Sequence, residues 1–200
     1  DLGTTTVVVR LINLETGEAV ADASFENPQR FGGSDVMSRI HYDTEHKGKL
    51  LRRTLAAYLT HAIEEFPIDP RTIYEVVVVG NSTMRDIFFR QNVYSIGQNP
   101  YRSITEIEMA EGRRTTTSLT ETGRRCLLPI HPEARVYGLP IVSGHVGADV
   151  DERRRPRVRV RLRARTAVVR VGRVRRRLLG RWRRRRRWWW RRRRGLGRVG

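Results

Sequence analysis

The chain has 200 residues and a formal net charge of +19, most of it concentrated at one end. Residues 151–200 hold 24 arginines and two acidic residues, whereas residues 1–150 hold 16 basic and 19 acidic residues. The single cysteine, Cys126, excludes a disulfide framework and a thiolate metal site, and no apolar run reaches the ~20 residues of a membrane-spanning helix. We therefore expect residues 1–150 to form one globular, cytoplasmic domain with no membrane attachment.

The first elements indicate a hairpin followed by a helix. Residues 6–14 are rich in β-branched side chains and predict a strand, and a Gly-containing turn leads into a second strand over residues 19–25. Residues 27–35 are dense in Pro, Gly and Asn, which predicts a loop. Ser34 or Asp35 then caps a predicted helix that ends near residue 42.

A longer amphipathic helix is predicted over residues 49–66. Its apolar side chains recur at helical spacing, so they share one face that packs into the core. The members of this face are Leu51, Leu55, Leu59, Ala62 and Phe66.

The following segments alternate between strand and helix patterns. Residues 72–80 form a continuous apolar run typical of a strand covered on both faces, and residues 81–91 predict a helix. Residues 92–125 show no clear period, while residues 126–130 and 135–144 predict short strands or extended segments. This order of elements indicates an α/β fold.

The first six residues, DLGTTT, called the opening loop below, carry the chemistry most typical of ligand binding. Gly3 permits a tight turn close to a ligand, and Thr4, Thr5 and Thr6 offer N–H and hydroxyl donors to phosphate oxygens. The Asp1 carboxylate can hold Mg²⁺ through water molecules. The alternative is a plain turn whose threonines serve β propensity, but the hairpin that follows favours phosphate.

Four further segments follow in order along residues 1–150: NPQRFGGSDVMSRI, VVVVGNSTM, NPYR and GLPIVSGHVGADV. The opening loop and hairpin resemble the first phosphate loop of the actin, sugar-kinase and heat-shock-chaperone (ASKHA) ATPase superfamily. With the four segments, they resemble one branch, the reductive activators of corrinoid-dependent proteins. The resemblance implies one lobe of an actin-like (ribonuclease H-like) ATPase fold, an α/β domain with a mixed sheet and flanking helices.

The resemblance also implies a function. Such activators have an N-terminal ferredoxin domain with a 2Fe–2S cluster and a two-lobed module in which ATP, with Mg²⁺, drives reduction of a partner corrinoid protein from Co(II) to Co(I). Asp1 would be the catalytic, magnesium-side carboxylate, and the turn of Gly3, Thr4, Thr5 and Thr6 would hold phosphate. A second anion contact would lie at a strand-to-helix turn, with a simple helix cap as the alternative; its residues are Gly80, Asn81, Ser82 and Thr83.

Three features of the family pattern are missing from this sequence. Cluster cysteines, a second D-x-G-T loop and a Gly-rich adenosine motif do not occur. We therefore interpret the chain, which begins at Asp1 without an initiator methionine, as a fragment from the middle of such a protein. ATP lies between two lobes in this fold, so we expect no measurable ATP turnover by this chain alone. Another superfamily member, such as a sugar kinase or a chaperone-like ATPase, is an alternative.

Other candidate residues favour structural roles. The five histidines lack metal-ligand spacing, and Cys126, beside apolar residues, is expected to be buried. Glu64, Glu65 and residues 106–112 are expected to lie on the surface.

Residues 151–200 form an Arg-rich and Trp-rich tail of low complexity. As a nucleic-acid-binding arm, its arginines would bind phosphates and its tryptophans would stack on bases; this makes a non-catalytic binding module the second hypothesis. A membrane-active segment would need an amphipathic helix, which is absent. The tail uses ten residue types, most with GC-rich codons, and contains no Lys or Ser. We therefore interpret it as a frame-shifted, non-native sequence and expect it to be disordered.

Overall fold

A computed structural model describes residues 1–141 and 168–171 of the chain. They form a mixed α/β fold with a mixed sheet and flanking helices, as predicted. The elements are β1 (Thr6–Ile12), β2 (Ala19–Glu26), α1 (Val36–Glu45), α2 (Leu50–Glu64), β3 (Ile73–Val78), α3 (Ser82–Phe88), α4 (Ile104–Ala110), β4 (Leu119–Thr122), β5 (Arg135–Gly138) and β6 (Val168–Val171).

The sheet has the strand order β2-β1-β6-β3-β5-β4 among the described residues. Strands β1 and β2 form an antiparallel hairpin, and β6 pairs parallel to β1 and antiparallel to β3. On the other side of β3, β5 is parallel to it and β4 is antiparallel to β5. The first residues of the chain reach the carboxyl end of β3 directly, because Leu2 forms a parallel β-bridge with Gly80.

The predicted hairpin is confirmed. Strand β1 alternates between buried and less buried residues along its length, as expected for a strand with one face on the core. Its turn is closed by the Asn13 N–H, which donates to the Glu18 carbonyl over 2.9 Å, and Gly17 supplies a positive φ of 74°. The loop predicted over residues 27–35 contains a short 3-10 helix, Pro28–Gly32.

The helices bury the faces that the sequence predicts. All five apolar residues predicted for the core face of α2 are buried, and α2 packs against β1 and α3. Asp35 caps α1, because its carboxylate accepts a hydrogen bond from the Ser38 N–H over 2.9 Å. The described part of the chain contains no helix long and apolar enough to cross a membrane.

Residues 92–141 differ most from the sequence prediction. Residues 92–125 contain α4 and β4 in addition to a 3-10 helix, Tyr94–Gly97. No strand forms over residues 126–130, where a short strand or extended segment was predicted, and the first two of these residues belong to a turn over residues 123–127. In this turn the Cys126 N–H donates to the Thr122 carbonyl over 3.0 Å, and Leu127 has a φ of 60°. The prediction for residues 135–144 is confirmed over Arg135–Gly138, the strand β5.

Of the predicted tail, the structure describes only strand β6. The prediction that residues 151–200 are disordered is wrong for Val168–Val171, because this short segment pairs with both β1 and β3, and the rest of the prediction lies outside the described residues. The same holds for the last part of the segment GLPIVSGHVGADV, from residue 142 onward.

Candidate phosphate-binding site

The opening loop lies at the carboxyl end of β3 and turns back into β1. The Leu2 N–H donates to the Val79 carbonyl over 2.8 Å, and the Val8 N–H donates to the Asp1 carbonyl over 3.0 Å. A Cβ atom on Gly3 would lie 2.4 Å from the Thr6 carbonyl oxygen, closer than real Cβ contacts allow. The tight turn therefore requires glycine at this position, as the sequence predicts.

Three consecutive carbonyl groups of the opening loop face the protein. The Gly3 carbonyl accepts from the Asn27 side chain over 2.8 Å, and the Thr5 carbonyl accepts from the Asn27 backbone N–H over 2.8 Å. Between them, the Thr4 carbonyl accepts from Arg39 Nη2 over 2.8 Å. The Gly3 N–H faces the Thr6 carbonyl within the antiparallel bridge that joins Leu2 to Val7, whereas the N–H groups of Thr4 and Thr5 have no acceptor within the described residues, so those two remain available to an anion.

The predicted second contact meets the opening loop through Asn81. Asn81 caps α3, since its side-chain oxygen accepts from the Met84 N–H over 2.9 Å, and its side-chain nitrogen donates to Thr4 Oγ1 over 3.0 Å. A Cβ on Gly80 would lie 2.8 Å from the Leu2 carbonyl oxygen, so glycine also permits this approach. The structure therefore brings both predicted segments together.

Ser82 and Thr83 contribute differently from what the sequence suggests. Both side chains are buried in the first turn of α3, with 2% and 1% exposed. Their hydroxyl groups are thus enclosed by the protein, whereas Thr5 and Thr6 are exposed and Thr4 is half-buried. The surface that can meet a ligand consists mainly of the opening loop.

Asp1 is half-buried, and its carboxylate has no hydrogen bond or ion pair with the described residues. Its backbone nitrogen donates to the Val8 carbonyl over 2.8 Å, which anchors the start of the opening loop on β1. The described residues include no group of three or more His, Cys, Asp and Glu side chains that could hold a metal ion. One carboxylate beside phosphate donors nevertheless fits Mg²⁺, which keeps most of its waters and binds through one or two carboxylates and the phosphates themselves.

Two residues that hold the opening loop, Asn27 and Arg39, were not singled out by sequence analysis. Both belong to the segment NPQRFGGSDVMSRI, which carried the resemblance without an assigned role. Arg39 is 1% exposed, and burial lowers the pKa of its guanidinium, which the negative charge of Asp35 opposes. A guanidinium keeps its proton in proteins even when it is buried, so Arg39 remains charged at neutral pH.

A second buried polar cluster supports α3 from the other side. Arg85 and Asp86 form an ion pair of 2.6 Å, with 1% and 0% of their side chains exposed. Arg85 Nη1 also donates to the Thr117 carbonyl over 2.7 Å, and the Ser103 hydroxyl donates to Asp86 over 2.5 Å. Burial raises the pKa of the Asp86 carboxyl, while Arg85 and Ser103 oppose this change. The cluster links α3 to α4, so it fixes the helix that carries Asn81 at its start.

Cys126 does not fit a role as a cluster ligand. An iron–sulfur cluster is held by several ligands, usually four cysteine thiolates, and this chain has one cysteine. Cys126 is buried as predicted, and desolvation raises the pKa of its thiol to about 12. The residues of this chain therefore suit phosphate and Mg²⁺ but not a 2Fe–2S cluster.

Comparison with known proteins places this arrangement in a family. The family model described as the RACo middle region matches residues 1–151. The corrinoid activation enzyme RamQ of Eubacterium limosum is 32% identical over 155 residues, which cover 74% of this chain and 24% of RamQ. A solved structure named as a reductive activator for corrinoid, iron-sulfur protein matches with a TM-score of 0.66 and 28% identity, over 74% of this chain and 23% of that chain. The chain thus spans about a quarter of the length of these relatives, and it belongs to the RACo middle-region family.

Proposed function

We propose that this chain supplies the first phosphate-binding loop of an ATP-dependent reductive activator of corrinoid proteins. The observation that carries the proposal is the orientation of the opening loop. Three carbonyls are bound by Asn27 and Arg39, which leaves successive N–H groups free to bind an anion. Two relatives are named as activators of corrinoid or corrinoid iron–sulfur proteins, and part of each of those proteins matches this chain.

In this proposal, the residues of the chain bind and orient the nucleotide phosphates. The N–H groups of Thr4 and Thr5 and the exposed hydroxyl groups of Thr5 and Thr6 donate to phosphate oxygens. The Asp1 carboxylate would hold Mg²⁺ through its water molecules, and Mg²⁺ would neutralise phosphate charge. Asn81 keeps Thr4 in place through its side-chain hydrogen bond.

ATP is required in the proposal because reduction of Co(II) corrinoid to Co(I) is the energetically demanding event in the partner protein. Electrons would come from a 2Fe–2S cluster held elsewhere, since this chain has one cysteine. The chain would therefore contribute nucleotide binding, and the corrinoid protein would be the substrate of the complete activator. The proposal also includes an actin-like ATPase module, of which this chain would form one lobe.

The proposal can be tested by NMR titration of the full chain with Mg·ATP. The tail carries 24 arginines and attracts anions without specificity, so the titration needs about 0.3 M salt and a readout confined to the opening loop. We expect the backbone amide resonances of Thr4 and Thr5 to shift in a saturable way.

A charge-matched pair of variants provides the control. Asp1→Asn should weaken the Mg²⁺-dependent part of the titration, whereas Asp22→Asn, an exposed site on β2, should leave it unchanged. Unmoved loop resonances at saturating Mg·ATP would contradict the proposed site, and so would equal effects of the two substitutions.

A further inference from the structure

We infer that Arg39 is the positioning residue of the phosphate site, acting through the peptide group that joins Thr4 to Thr5. The inference rests on the proposed function and adds a residue and a physical mechanism to it. Arg39 Nη2 donates to the Thr4 carbonyl over 2.8 Å, on the protein side of the opening loop. The N–H of the same peptide group belongs to Thr5, an exposed residue, and has no acceptor among the described residues.

A cation bound to a carbonyl strengthens the donor at the other end of the peptide group. Hydrogen bonds to charged groups are stronger than neutral ones, and linked hydrogen bonds polarise one another in a low-dielectric environment. The Arg39 guanidinium therefore increases the partial positive charge on the Thr5 N–H. Its own charge adds to the attraction, since the guanidinium lies directly behind the opening loop.

The rest of the Arg39 environment holds the guanidinium in this position. Its Nε donates to the Gly33 carbonyl over 3.0 Å, and its Nη1 lies 3.1 Å from the Met84 sulfur. Glycine at position 33 permits this loop to pack closely against α1, because an added Cβ would lie 2.3 Å from the Ser38 Cβ. Its φ of 138° is also a conformation that other residues rarely adopt. The side chain is thus fixed at all three nitrogens.

Arg39 also differs from the buried Arg85 in its balance of charge. Arg85 is paired with the buried carboxylate of Asp86, whereas Arg39 forms no ion pair within residues 1–141. Asp35, the acid that influences its pKa, is exposed and occupied in capping α1. Burying a charge without a paired opposite charge is costly, and a bound phosphate would supply that charge across one peptide group.

Arg52 provides a matched control. It is 8% exposed, and it donates from Nε to the Phe88 carbonyl over 2.8 Å and from Nη2 to the Arg125 carbonyl. Like Arg39, it is a buried guanidinium bound to backbone carbonyls, but its partners lie at the end of α3 and in the turn after β4. Replacement of Arg52 therefore measures the cost of losing a buried arginine without changing the opening loop.

The experiment compares Arg39→Met, Arg39→Lys and Arg52→Met by NMR titration with Mg·ATP in the full chain. We expect Arg39→Met to weaken binding about ten-fold or more, the loss typical of a hydrogen bond to a charged group. Arg39→Lys keeps the charge and should retain part of the affinity. Arg52→Met should bind Mg·ATP like the unmodified chain even where its melting temperature falls.

Two readouts separate positioning from general stability. In the ligand-free chain, the Thr5 amide resonance should move upfield in Arg39→Met and stay in place in Arg52→Met. In the unmodified chain, Mg·ATP should shift the Arg39 Nε resonance and leave the Arg52 Nε resonance unmoved. This readout does not depend on the folding of any variant.

An Arg39→Met chain that binds Mg·ATP normally would overturn the inference while leaving the proposed function intact. An Arg39 Nε resonance that does not shift when Mg·ATP binds would do the same. If Mg·ATP leaves the opening loop itself unmoved, the proposed function fails, and an unmoved Thr5 resonance in ligand-free Arg39→Met rejects the inference separately.

Discussion

Gly3 lies in a space that has no room for a side chain. Replacement by alanine would bring the new Cβ to 2.4 Å from the Thr6 carbonyl oxygen, so the opening loop would have to move. We expect Gly3→Ala to reduce the free energy of unfolding by about 1–3 kcal/mol and to abolish the loop shifts caused by Mg·ATP. Urea unfolding and NMR titration measure the two effects.

Gly17→Ala is the control for this substitution. Gly17 has a positive φ of 74°, and a Cβ added there would meet nothing within 4 Å. Alanine at this position therefore costs backbone strain of about 1 kcal/mol without a clash. Its Mg·ATP titration should match that of the unmodified chain. Normal phosphate binding by Gly3→Ala would show that the tight turn is not needed for the site.

Cys126 should be unreactive in the folded chain. Burial raises the pKa of its thiol to about 12, so at pH 8 only about one molecule in 10⁴ carries the reactive thiolate. We expect a thiol reagent such as iodoacetamide to modify the native chain orders of magnitude more slowly than the chain in urea, where the thiol pKa returns to about 8.5. Mass spectrometry over time checks this, and complete labelling of the native chain within minutes would contradict it.

The turn and the helix cap of the candidate site were predictable from residues whose types are themselves informative. Gly3 and the three threonines indicate a phosphate turn, and Asn81 indicates a helix cap, because these residue types suit turns and caps better than element interiors. Arg39 was not predictable in the same way. A charged residue in a helix is normally exposed, and only the fold shows that Arg39 lies 1% exposed behind the opening loop.

At the scale of elements, segments with an apolar pattern were predicted well and polar segments without one were not. The hairpin, α1, α2, β3 and α3 follow from alternation, apolar runs or helical spacing. Helix α4 lies in a polar stretch with no apolar run before it, although Ser103 and Glu106 form a capping box that marks its start. The turn over residues 123–127 depends on Leu127 adopting a positive φ, which an apolar sequence gives no reason to expect.

Ser103 connects α4 to the buried Arg85–Asp86 pair, so its removal should affect two elements together. Its hydroxyl donates to Asp86 over 2.5 Å and accepts from the Thr105 N–H over 3.2 Å. We expect Ser103→Ala to lower the free energy of unfolding by about 2 kcal/mol, since a helix cap and a charged hydrogen bond are lost. Ser34→Ala, at an exposed serine, should change it little. Equal losses in urea unfolding would contradict a structural role for Ser103.

At the scale of the whole molecule, the charge divides the chain into two parts. Residues 151–200 carry 24 of the 40 lysines and arginines, and the family match ends at residue 151. The proposal that this tail is frame-shifted predicts that another reading frame past residue 150 encodes a second D-x-G-T loop and a Gly-rich segment. Sequencing the gene tests this, because a tail that is intact in every frame would have to be accepted as native and examined for salt-dependent nucleic-acid binding.

The length of the chain sets the last expectation, which concerns catalysis. The chain covers 24% of RamQ and 23% of the solved activator, and the proposed fold holds ATP between two lobes. In this proposal, one lobe binds phosphates. Catalysis also requires the attacking water molecule and the nucleotide to be held in position from both lobes, which a single lobe cannot do. We expect no phosphate release from Mg·ATP above the level of the Asp1→Ala chain. A rate that persists in Asp22→Asn and disappears in Asp1→Ala would show instead that the opening loop and its surroundings form a complete catalytic site.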